Sequence, residues 1–290
     1  MFKKCMTAVL SLLLFCGGCA GEDSRPSAES GVSGASQISE SAASLPVLEV
    51  TVLDIGKADA ILLQAGEEAV LIDTGEEEDG DKVAAALKER GVQRLDCLLL
   101  THLDKDHIGG VPAVLEAVEV ERVVQSNNEE DSDAYRACLQ ACWEAGHNPE
   151  RVAAPEELPL SHLRLRLLPA GKASYADDND YSIMAELTYG EKRFLFAGDA
   201  EAQRLEEYLA GEPAPVDFLK VPHHGRENDK TAAFLEQVRP AYAVITCSKK
   251  HQPDAEVLEQ LSALGASVFL TTGGDVRAIC DGQNLTVTQE

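Results

Sequence analysis

Short apolar runs rich in β-branched residues dominate the chain from Val47 onward. The first three, LEVTVLDIG, ADAILLQAG and AVLIDTG, follow one another closely, and glycine-bearing turns separate them. Runs of this length bounded by glycine are typical of strands joined by tight connections. The pattern therefore predicts an antiparallel meander at the start of the folded part of the chain.

Helix and strand patterns alternate after the meander. Apolar residues at three- and four-residue spacing predict helices, and short apolar runs predict strands. The predicted helices cover residues 81–90, 109–118, 133–145, 201–209, 231–238 and 254–264. The predicted strands cover residues 95–100, 162–168, 182–189, 193–196, 218–221, 241–246, 268–271, 276–280 and 285–288. Two such halves predict two sheets packed face to face under outer helices, in one domain over residues 46–290.

The first 19 residues follow a different pattern, with two lysines, an apolar run over residues 8–15, and small residues that end in Cys19. The run is shorter than the roughly 20 apolar residues of a helix that crosses a bilayer. It resembles a bacterial lipoprotein signal, which predicts a signal peptide over residues 1–18 and acylation of Cys19. Residues 19–45 are rich in Ser, Ala, Gly and Glu, which predicts a disordered tether. We therefore expect an extracytoplasmic protein that a lipid attaches to the bacterial cell membrane.

The composition is globular and acidic. Of the 290 residues, 44% are hydrophobic and 26% are charged, which excludes a disordered chain. Fifty acidic residues face 25 basic ones, so the formal net charge is −25. The general surface of such a protein repels nucleic acid, because phosphate binding relies on clusters of Lys and Arg. A nucleic acid is therefore expected as a substrate only, met by metal ions, and the sequence predicts no protein partner.

The cysteines predict no disulfide framework. Of eight, Cys5 and Cys16 lie in the predicted signal and Cys19 is the predicted lipid site, which leaves an odd number for the domain. Cys138 and Cys142 are one helical turn apart, a spacing that suits either a metal site or an apolar helix face. With no His or Cys partner nearby, the apolar face is the preferred interpretation.

The segment LLLTHLDKDHIGG carries the strongest chemical signal. Directly after an apolar strand it places four potential metal ligands within six residues: His102, Asp104, Asp106 and His107. Imidazole and carboxylate suit zinc, manganese or iron, and two interleaved ligand sets can hold two metals roughly 3.5 to 4 Å apart. The alternative, a solvated acidic loop with stray histidines, is weakened by three further segments.

Polar side chains also stand at the ends of three other predicted strands. Asp73 follows the strand in LIDTG, and Asp199 follows the strand in FLFAGDA. His223 and His224 follow the strand in LKVPHHG. A carboxylate such as Asp199 can bridge two cations, and a histidine can complete the second ion's ligands. Ser182 has no Gly-x-Ser-x-Gly motif around it, so a serine hydrolase is not expected.

These segments together resemble the metallo-β-lactamase superfamily, and most closely the hydrolase domain of ComEC-type competence proteins. The resemblance runs from residue 48 to 290 and includes VLDIGKADAILLQ, THLDKDHIGG and NDYS at residues 179–182. It implies an α+β fold, the four-layer αββα sandwich of that superfamily. It also implies one or two divalent metal ions, manganese or zinc.

The resemblance implies a role for each site residue. His102 and Asp104 would serve the first metal. The second would be held by Asp106, His107 and one of His223 and His224. Asp199 would bridge the two and, with Asp106, belong to the catalytic centre. Residues behind the ligands or against substrate would be Asp59, Asp73, Asn179 and Ser182.

The chain departs from the family pattern at three places. No histidine lies between His162 and His223, so the third histidine of the first metal is missing, and Asn179 or Asp180 would replace it. Lys57 and Ala58 stand where Gln-Gly usually precedes the aspartate. KKHQPD replaces Gly-His-Pro, which shifts His251 by one residue; we expect it either as a catalytic acid or phosphate ligand, or as an exposed histidine.

Two metals would activate a bridging water and stabilise charge on the attacking and leaving oxygens. The first expectation is therefore a metal-dependent phosphodiesterase or nuclease of the competence-protein type. The second is a phosphoester hydrolase for a small or cell-wall substrate, which the acidic surface favours. The third is a surface binding protein on the same fold without catalysis.

Overall fold

The computed structural model describes residues 45–290. The predicted signal peptide, Cys19 and all but the last residue of the predicted tether lie outside the described residues. Within them, no helix is both long and apolar enough to cross a membrane.

Strands and helices alternate along the described chain, as predicted. The strands are β1 (Leu48–Val52), β2 (Ile61–Ala65), β3 (Glu68–Ile72), β4 (Arg94–Leu95), β5 (Cys97–Leu100), β6 (Glu119–Val120), β7 (Val123–Gln125), β8 (Glu150–Arg151), β9 (Glu156–Glu157), β10 (Arg164–Leu168), β11 (Met184–Tyr189), β12 (Lys192–Phe196), β13 (Phe218–Lys220), β14 (Tyr242–Ile245), β15 (Ser267–Leu270), β16 (Val276–Cys280) and β17 (Leu285–Gln289). The helices are α1 (Gly80–Glu89), α2 (Lys105–Ile108), α3 (Val111–Ala117), α4 (Asp133–Glu144), α5 (Ala202–Leu209), α6 (Thr231–Val238) and α7 (Ala255–Ala263).

Two large sheets are built from these strands. The first has the order β17-β16-β1-β2-β3-β5-β7-β8, and the second has the order β15-β14-β13-β12-β11-β10-β9. The predicted meander is confirmed, since β1 pairs antiparallel with β2 and β2 pairs antiparallel with β3. From β3 through β5 to β7, and from β12 to β15, the neighbouring strands are parallel.

Three apolar layers fix the stacking of the elements. Val50 and Leu63 of the first sheet meet Phe196 and Phe218 of the second in a layer between the two sheets. Residues of opposite orientation, such as Leu62, pack under α1, α3 and α4. The outer face of the second sheet packs under α5, α6 and α7 in the same way. Because strand side chains alternate between faces, each sheet is buried on both sides. The predicted four-layer αββα sandwich is confirmed.

The predicted strand over residues 95–100 is divided at Asp96. The Asp96 backbone N–H donates to the Ala69 carbonyl (2.8 Å), and its carboxylate accepts from the Ala69 N–H (2.9 Å). Leu95 instead belongs to a separate two-stranded ladder of β4 with β6. An aspartate that takes over one backbone position of the ladder therefore ends one strand and starts the next.

The carboxy-terminal hairpin belongs to the first sheet. β16 pairs antiparallel with β1, and Cys280 lies opposite Leu48. The two predicted halves are thus unequal, since the last two strands return to the edge of the meander.

Five cysteines lie in the described part, and all are buried thiols without a disulfide. Cys138 and Cys142 face the apolar layer under α4, in agreement with the preferred interpretation.

Candidate metal centre

The candidate site lies at the carboxyl ends of parallel strands in both sheets. Asp73 follows β3, the segment from Thr101 to His107 follows β5, Asp199 follows β12, and His224 follows β13. Carboxyl ends of neighbouring parallel strands meet at one edge of a sheet, so the fold brings these residues together.

The loop after β5 turns Asp106 and His107 inward. Asp104 has an extended backbone, and the short helix α2 begins at the next residue, which buries the two side chains that follow. Glycine is required behind this helix, since a Cβ at Gly110 would lie 2.1 Å from the carbonyl oxygen of Thr74. The close approach lets the Thr74 N–H donate to the His107 carbonyl (2.7 Å). The Gly-Gly pair of the motif is thus explained by the fit between two loops.

Asp73 holds the ring of His107. Its Oδ2 lies 2.8 Å from His107 Nδ1, and its carboxylate also accepts from the backbone N–H (2.8 Å) and hydroxyl (2.7 Å) of Thr101. Burial would lower the pKa of His107, yet Asp199 and Asp73 raise it well above its usual value. Burial also raises the pKa of the Asp73 carboxyl. With Nδ1 bonded to Asp73, the Nε2 atom of His107 is directed at Asp199, 3.4 Å away.

His224 faces the centre and His223 does not. His224 Nε2 lies 3.0 Å from Asp199 Oδ2 and 3.8 Å from Asp106 Oδ2. His223 Nδ1 instead lies 2.8 Å from Glu201 Oε1. Both residues have left-handed backbones in a 3₁₀ turn, with φ of 44° and 53°.

A relay of hydrogen bonds orients His224 from behind. Its Nδ1 lies 2.9 Å from Thr246 Oγ1, and the Thr246 hydroxyl donates to Asp59 Oδ1 (2.6 Å). Asp59 is buried and in turn pairs with the ammonium of Lys220. Asp59 therefore lies behind the centre and is linked to the His224 ring through the Thr246 hydroxyl.

Three imidazole nitrogens of the centre are available to bind metal ions. The Nε2 atoms of His102, His107 and His224 are buried and make no hydrogen bond of acceptable geometry among the described residues, although those of His107 and His224 lie close to Asp199 Oδ2. Potential ligand atoms lie within 4.8 Å of one another in the group of His102, His107 and Asp199. The same holds for the group of Asp106, His107 and His224. Orphaned imidazole nitrogens beside carboxylates are the donor set of zinc, manganese and iron sites. The residues present therefore fit divalent metal ions.

The carboxylates of the centre differ in their surroundings. Burial would raise the pKa of Asp106, but His107 and Lys57 lower it to about 2. Burial would also raise the pKa of Asp199, which His224, His107 and Lys220 hold well below its usual value. Burial and the nearby Asp106 raise the pKa of Asp104 to about 6. Asp104 is half exposed, and its Oδ2 lies 4.0 Å from His102 Nε2.

Two lysines of the centre were not predicted as site residues. Lys220 is fully buried; its ammonium donates to the Gly198 carbonyl (3.2 Å) and lies 3.4 Å from Asp199 Oδ1. Asp199 therefore turns one oxygen to Lys220 and only the other to His107 and His224. The available signal was a single charge inside the apolar run FLKV. Lys57 pairs with Asp106, and nothing in the sequence pointed to that contact.

The segment NDYS lies beside the centre. Ser182 Oγ accepts from the Asp199 backbone N–H (3.1 Å). Asp180 Oδ1 accepts from the N–H groups of Glu201 and Arg204 (3.0 and 2.9 Å), so it caps α5. Asn179 Nδ2 lies 3.5 Å from His223 Nε2. Asn179 and Asp180 were the two predicted replacements for the missing histidine. The Asp180 carboxylate is engaged at the start of α5, so only Asn179, at the edge of the centre, remains available.

His251 is exposed in the turn after β14. Its backbone N–H donates to Ser248 Oγ (3.1 Å), and its side chain makes no hydrogen bond or ion pair with any described residue. The structure does not bring it into the histidine cluster.

The chain is similar to known proteins over most of its length. The metallo-beta-lactamase superfamily matches residues 53–249. ComE operon protein 3 of Bacillus subtilis (strain 168) is 30% identical, over 77% of this chain and 32% of its own length. Competence protein ComA of Neisseria gonorrhoeae is 26% identical, over 77% of this chain and 30% of its own length. The chain thus spans about a third of the length of these curated relatives.

A solved structure shows the same fold. The metallo-beta-lactamase fold protein YhfI from Bacillus subtilis has a TM-score of 0.53 and 14% sequence identity, and the match covers 83% of this chain and 100% of that one. At this identity the likeness concerns the fold alone.

Proposed function

Because the chain belongs to the metallo-beta-lactamase superfamily, we propose that it is a metal-dependent phosphodiesterase or nuclease that acts outside the cytoplasm. The observation that carries the proposal is the convergence of three buried, unbonded imidazole Nε2 atoms on two carboxylates. In a metal-free protein such a cluster leaves polar atoms without partners, at a cost of about 1–3 kcal/mol each. A bound metal ion would give those nitrogen atoms a partner and remove that cost.

The superfamily implies divalent metal ions, and we propose one or two ions of manganese or zinc. The proposed ligands are His102, Asp104, Asp106, His107, Asp199 and His224. When bound, such ions lower the pKa of water and stabilise negative charge on the attacking and leaving oxygens of a phosphoryl group. His223 is not among the proposed ligands, since its ring is engaged by Glu201.

The protein's own residues supply the orientation. Asp73 sets the tautomer of His107, and Thr246 sets the ring of His224. Lys220 neutralises one oxygen of Asp199 and leaves the other for the centre. Ligands held in this way keep their geometry during turnover, which is the role of groups behind a metal's ligands.

The similarity to a competence protein favours a nucleic-acid type of phosphodiester. Competence protein ComA is 26% identical to this chain, and the match covers 30% of its length. We therefore propose only that the domain itself carries out hydrolysis.

The acidic surface favours a second candidate, a phosphoester of a small or cell-wall molecule. The formal charge is −25, and a groove of about 590 Å³ close to α2 has four acidic residues and one lysine in its lining, Glu76, Glu77, Glu78, Asp133 and Lys105. A surface of this charge repels a long polyanion more than a short one, and salt screens the repulsion. Hydrolysis rates on single-stranded DNA and on phosphocholine esters, compared at low and high salt, separate the two candidates.

The assay that tests the proposal uses bis(p-nitrophenyl) phosphate and single-stranded DNA. The purified protein is stripped of metal and then refilled with manganese or zinc. We expect turnover that needs metal and that falls about 100-fold or more in His107→Ala, because ligand loss removes charge stabilisation at the reacting group. The matched control is His147→Ala, which removes a histidine remote from the cluster in sequence and without contacts to it.

Absence of turnover with either metal would overturn the phosphodiesterase proposal. Metal content then decides between what remains. Less than one ion per chain would indicate a non-catalytic binding protein on this fold, and a full complement would indicate a substrate without a phosphodiester.

A further inference from the structure

Lys57 lies at the mouth of the centre, on the connection between β1 and β2. Its ammonium donates to Asp106 Oδ2, and its side chain is 35% exposed. Among the described residues this is the only hydrogen bond that the side chain makes. Lys220, by contrast, is fully buried and contacts Asp59, Asp199 and Gly198. Of the two ammonium groups in the centre, that of Lys57 is therefore the one that can move into solvent.

The oxygen that Lys57 contacts is one that a metal ion would need. Asp106 Oδ2 lies 3.8 Å from His224 Nε2, and Asp106, His107 and His224 form one of the groups whose ligand atoms lie within 4.8 Å of one another. An ammonium and a divalent cation on the same carboxylate oxygen repel each other strongly at such distances. The two therefore compete for Asp106 Oδ2.

The backbone keeps Lys57 close to Asp106. The N–H of Asp59 donates to the Asp106 carbonyl (3.2 Å), and the N–H of Gly75 donates to the Asp59 carbonyl (2.9 Å). The turn before Lys57 uses a positive φ of 82° at Gly56. A lysine fixed at its Cα, with a flexible four-carbon stem, has a high effective concentration at this carboxylate.

We propose that Lys57 is a tethered cation that competes with a divalent metal ion for Asp106 and so sets how tightly the Asp106, His107 and His224 group binds metal. The inference rests on the proposed metal ligands and not on the proposed substrate. At low metal concentration the ammonium neutralises Asp106. At higher concentration the ion displaces it toward solvent, so occupancy of this position follows the supply of metal.

Isothermal titration of the chelator-treated full chain with Mn²⁺ tests the proposal. Lys57→Gln removes the competing charge, and we expect the metal to bind about tenfold more tightly, a change of about 1.4 kcal/mol. Lys57→Arg retains the charge and should bind metal no more tightly than the wild type. The matched control is Lys105→Gln, since Lys105 is 71% exposed and pairs with Glu76 instead of a proposed ligand. It removes one positive charge near the centre and leaves the contact between Lys57 and Asp106 in place.

An affinity of Lys57→Gln equal to that of Lys105→Gln would overturn the proposal, and a weaker one would do so as well, because it would show that Lys57 supports the ligand. Thermal unfolding of each variant verifies that the fold is intact. The result is independent of turnover. Tighter metal binding without any hydrolysis would defeat the proposed function alone, and hydrolysis with unchanged metal affinity would defeat this inference alone.

Discussion

At the scale of single residues, the centre depends on groups that are themselves held by hydrogen bonds. Asp73 has a left-handed backbone (φ 58°) and is buried, so its placement is costly and is maintained by the three bonds it accepts from Thr101 and His107. The sequence located Asp73 because it follows an apolar strand directly. It gave no sign of the bonds of Lys57 and Lys220, because a sequence alone does not show which charges meet across the 49 residues from Lys57 to Asp106 or the 21 from Asp199 to Lys220.

Asp73→Asn tests this support. The amide has one oxygen where the carboxylate had two, so it no longer satisfies both Thr101 and His107, and the ring loses its fixed tautomer. We expect metal affinity or kcat to fall about 10–100-fold, the usual cost of losing a group behind a metal ligand. Calorimetry and the phosphodiester assay measure the two quantities. Asp217→Asn, which alters a carboxylate that contacts Lys192 and Arg193 instead, is the control, and equal behaviour of the two variants would contradict the assignment.

At the scale of elements, long periodic segments were predictable and short ones were not. The meander was predicted without strand bounds, and α4 and α6 were predicted to within about one residue, because several apolar side chains repeat within each. β8 and β9 have two exposed residues each and carry no periodic signal. The turn at 222–225 was also missed, since two adjacent histidines with positive φ have no sequence signature. Tertiary contacts decide the conformation in such places.

Glu68 of β3 joins the first sheet to the segment that leads into β10 of the second. Its carboxylate accepts from the backbone N–H groups of Ser161, His162 (2.8 Å) and Leu163 (3.1 Å). Burial opposes the effect of these donors, but the pKa of Glu68 is lowered overall. The carboxylate thus binds its proton less readily in the folded than in the unfolded chain. Its contribution to stability is present above the unfolded value, near 4.5, and is lost as pH falls through the lowered folded pKa.

We therefore expect Glu68→Gln to lower the free energy of unfolding by about 1–2 kcal/mol at neutral pH. The difference from wild type should shrink as pH falls below 4.5 and be smallest below the lowered folded pKa, where the carboxylate is protonated in both states. Urea denaturation at several pH values measures both effects. Glu67→Gln, one residue earlier and exposed, is the control, and a pH-independent difference would contradict the explanation.

At the scale of the whole molecule, charge and attachment act together. The protein has 25 more acidic than basic residues, so anionic membranes repel it. Attachment through a lipid on Cys19, with residues 19–45 as a tether, would hold an acidic domain close to a surface that its charge avoids. We propose this lipid attachment at Cys19, which would require no basic or apolar docking face on the described residues.

Cys19→Ala tests the attachment. Without the thiol there is no acyl acceptor, so we expect the variant to lose incorporation of labelled fatty acid and to leave the membrane fraction. Cell fractionation and metabolic labelling measure this, with Cys16→Ala as the control inside the same segment. Labelling of Cys19→Ala at the wild-type level would contradict lipidation at this residue.

The pairing of β1 with β16 has a consequence for how the protein is made. Leu48 finds its neighbour Cys280 only after almost the entire domain has been synthesised. Contacts so distant along the chain slow folding, since a large loop must close before they form. The first sheet therefore stays incomplete during synthesis, with one edge of the meander unpaired. If the chain is exported as we propose, late completion of this sheet would favour passage through a membrane channel in an extended state, with the final strand pairing formed on the far side.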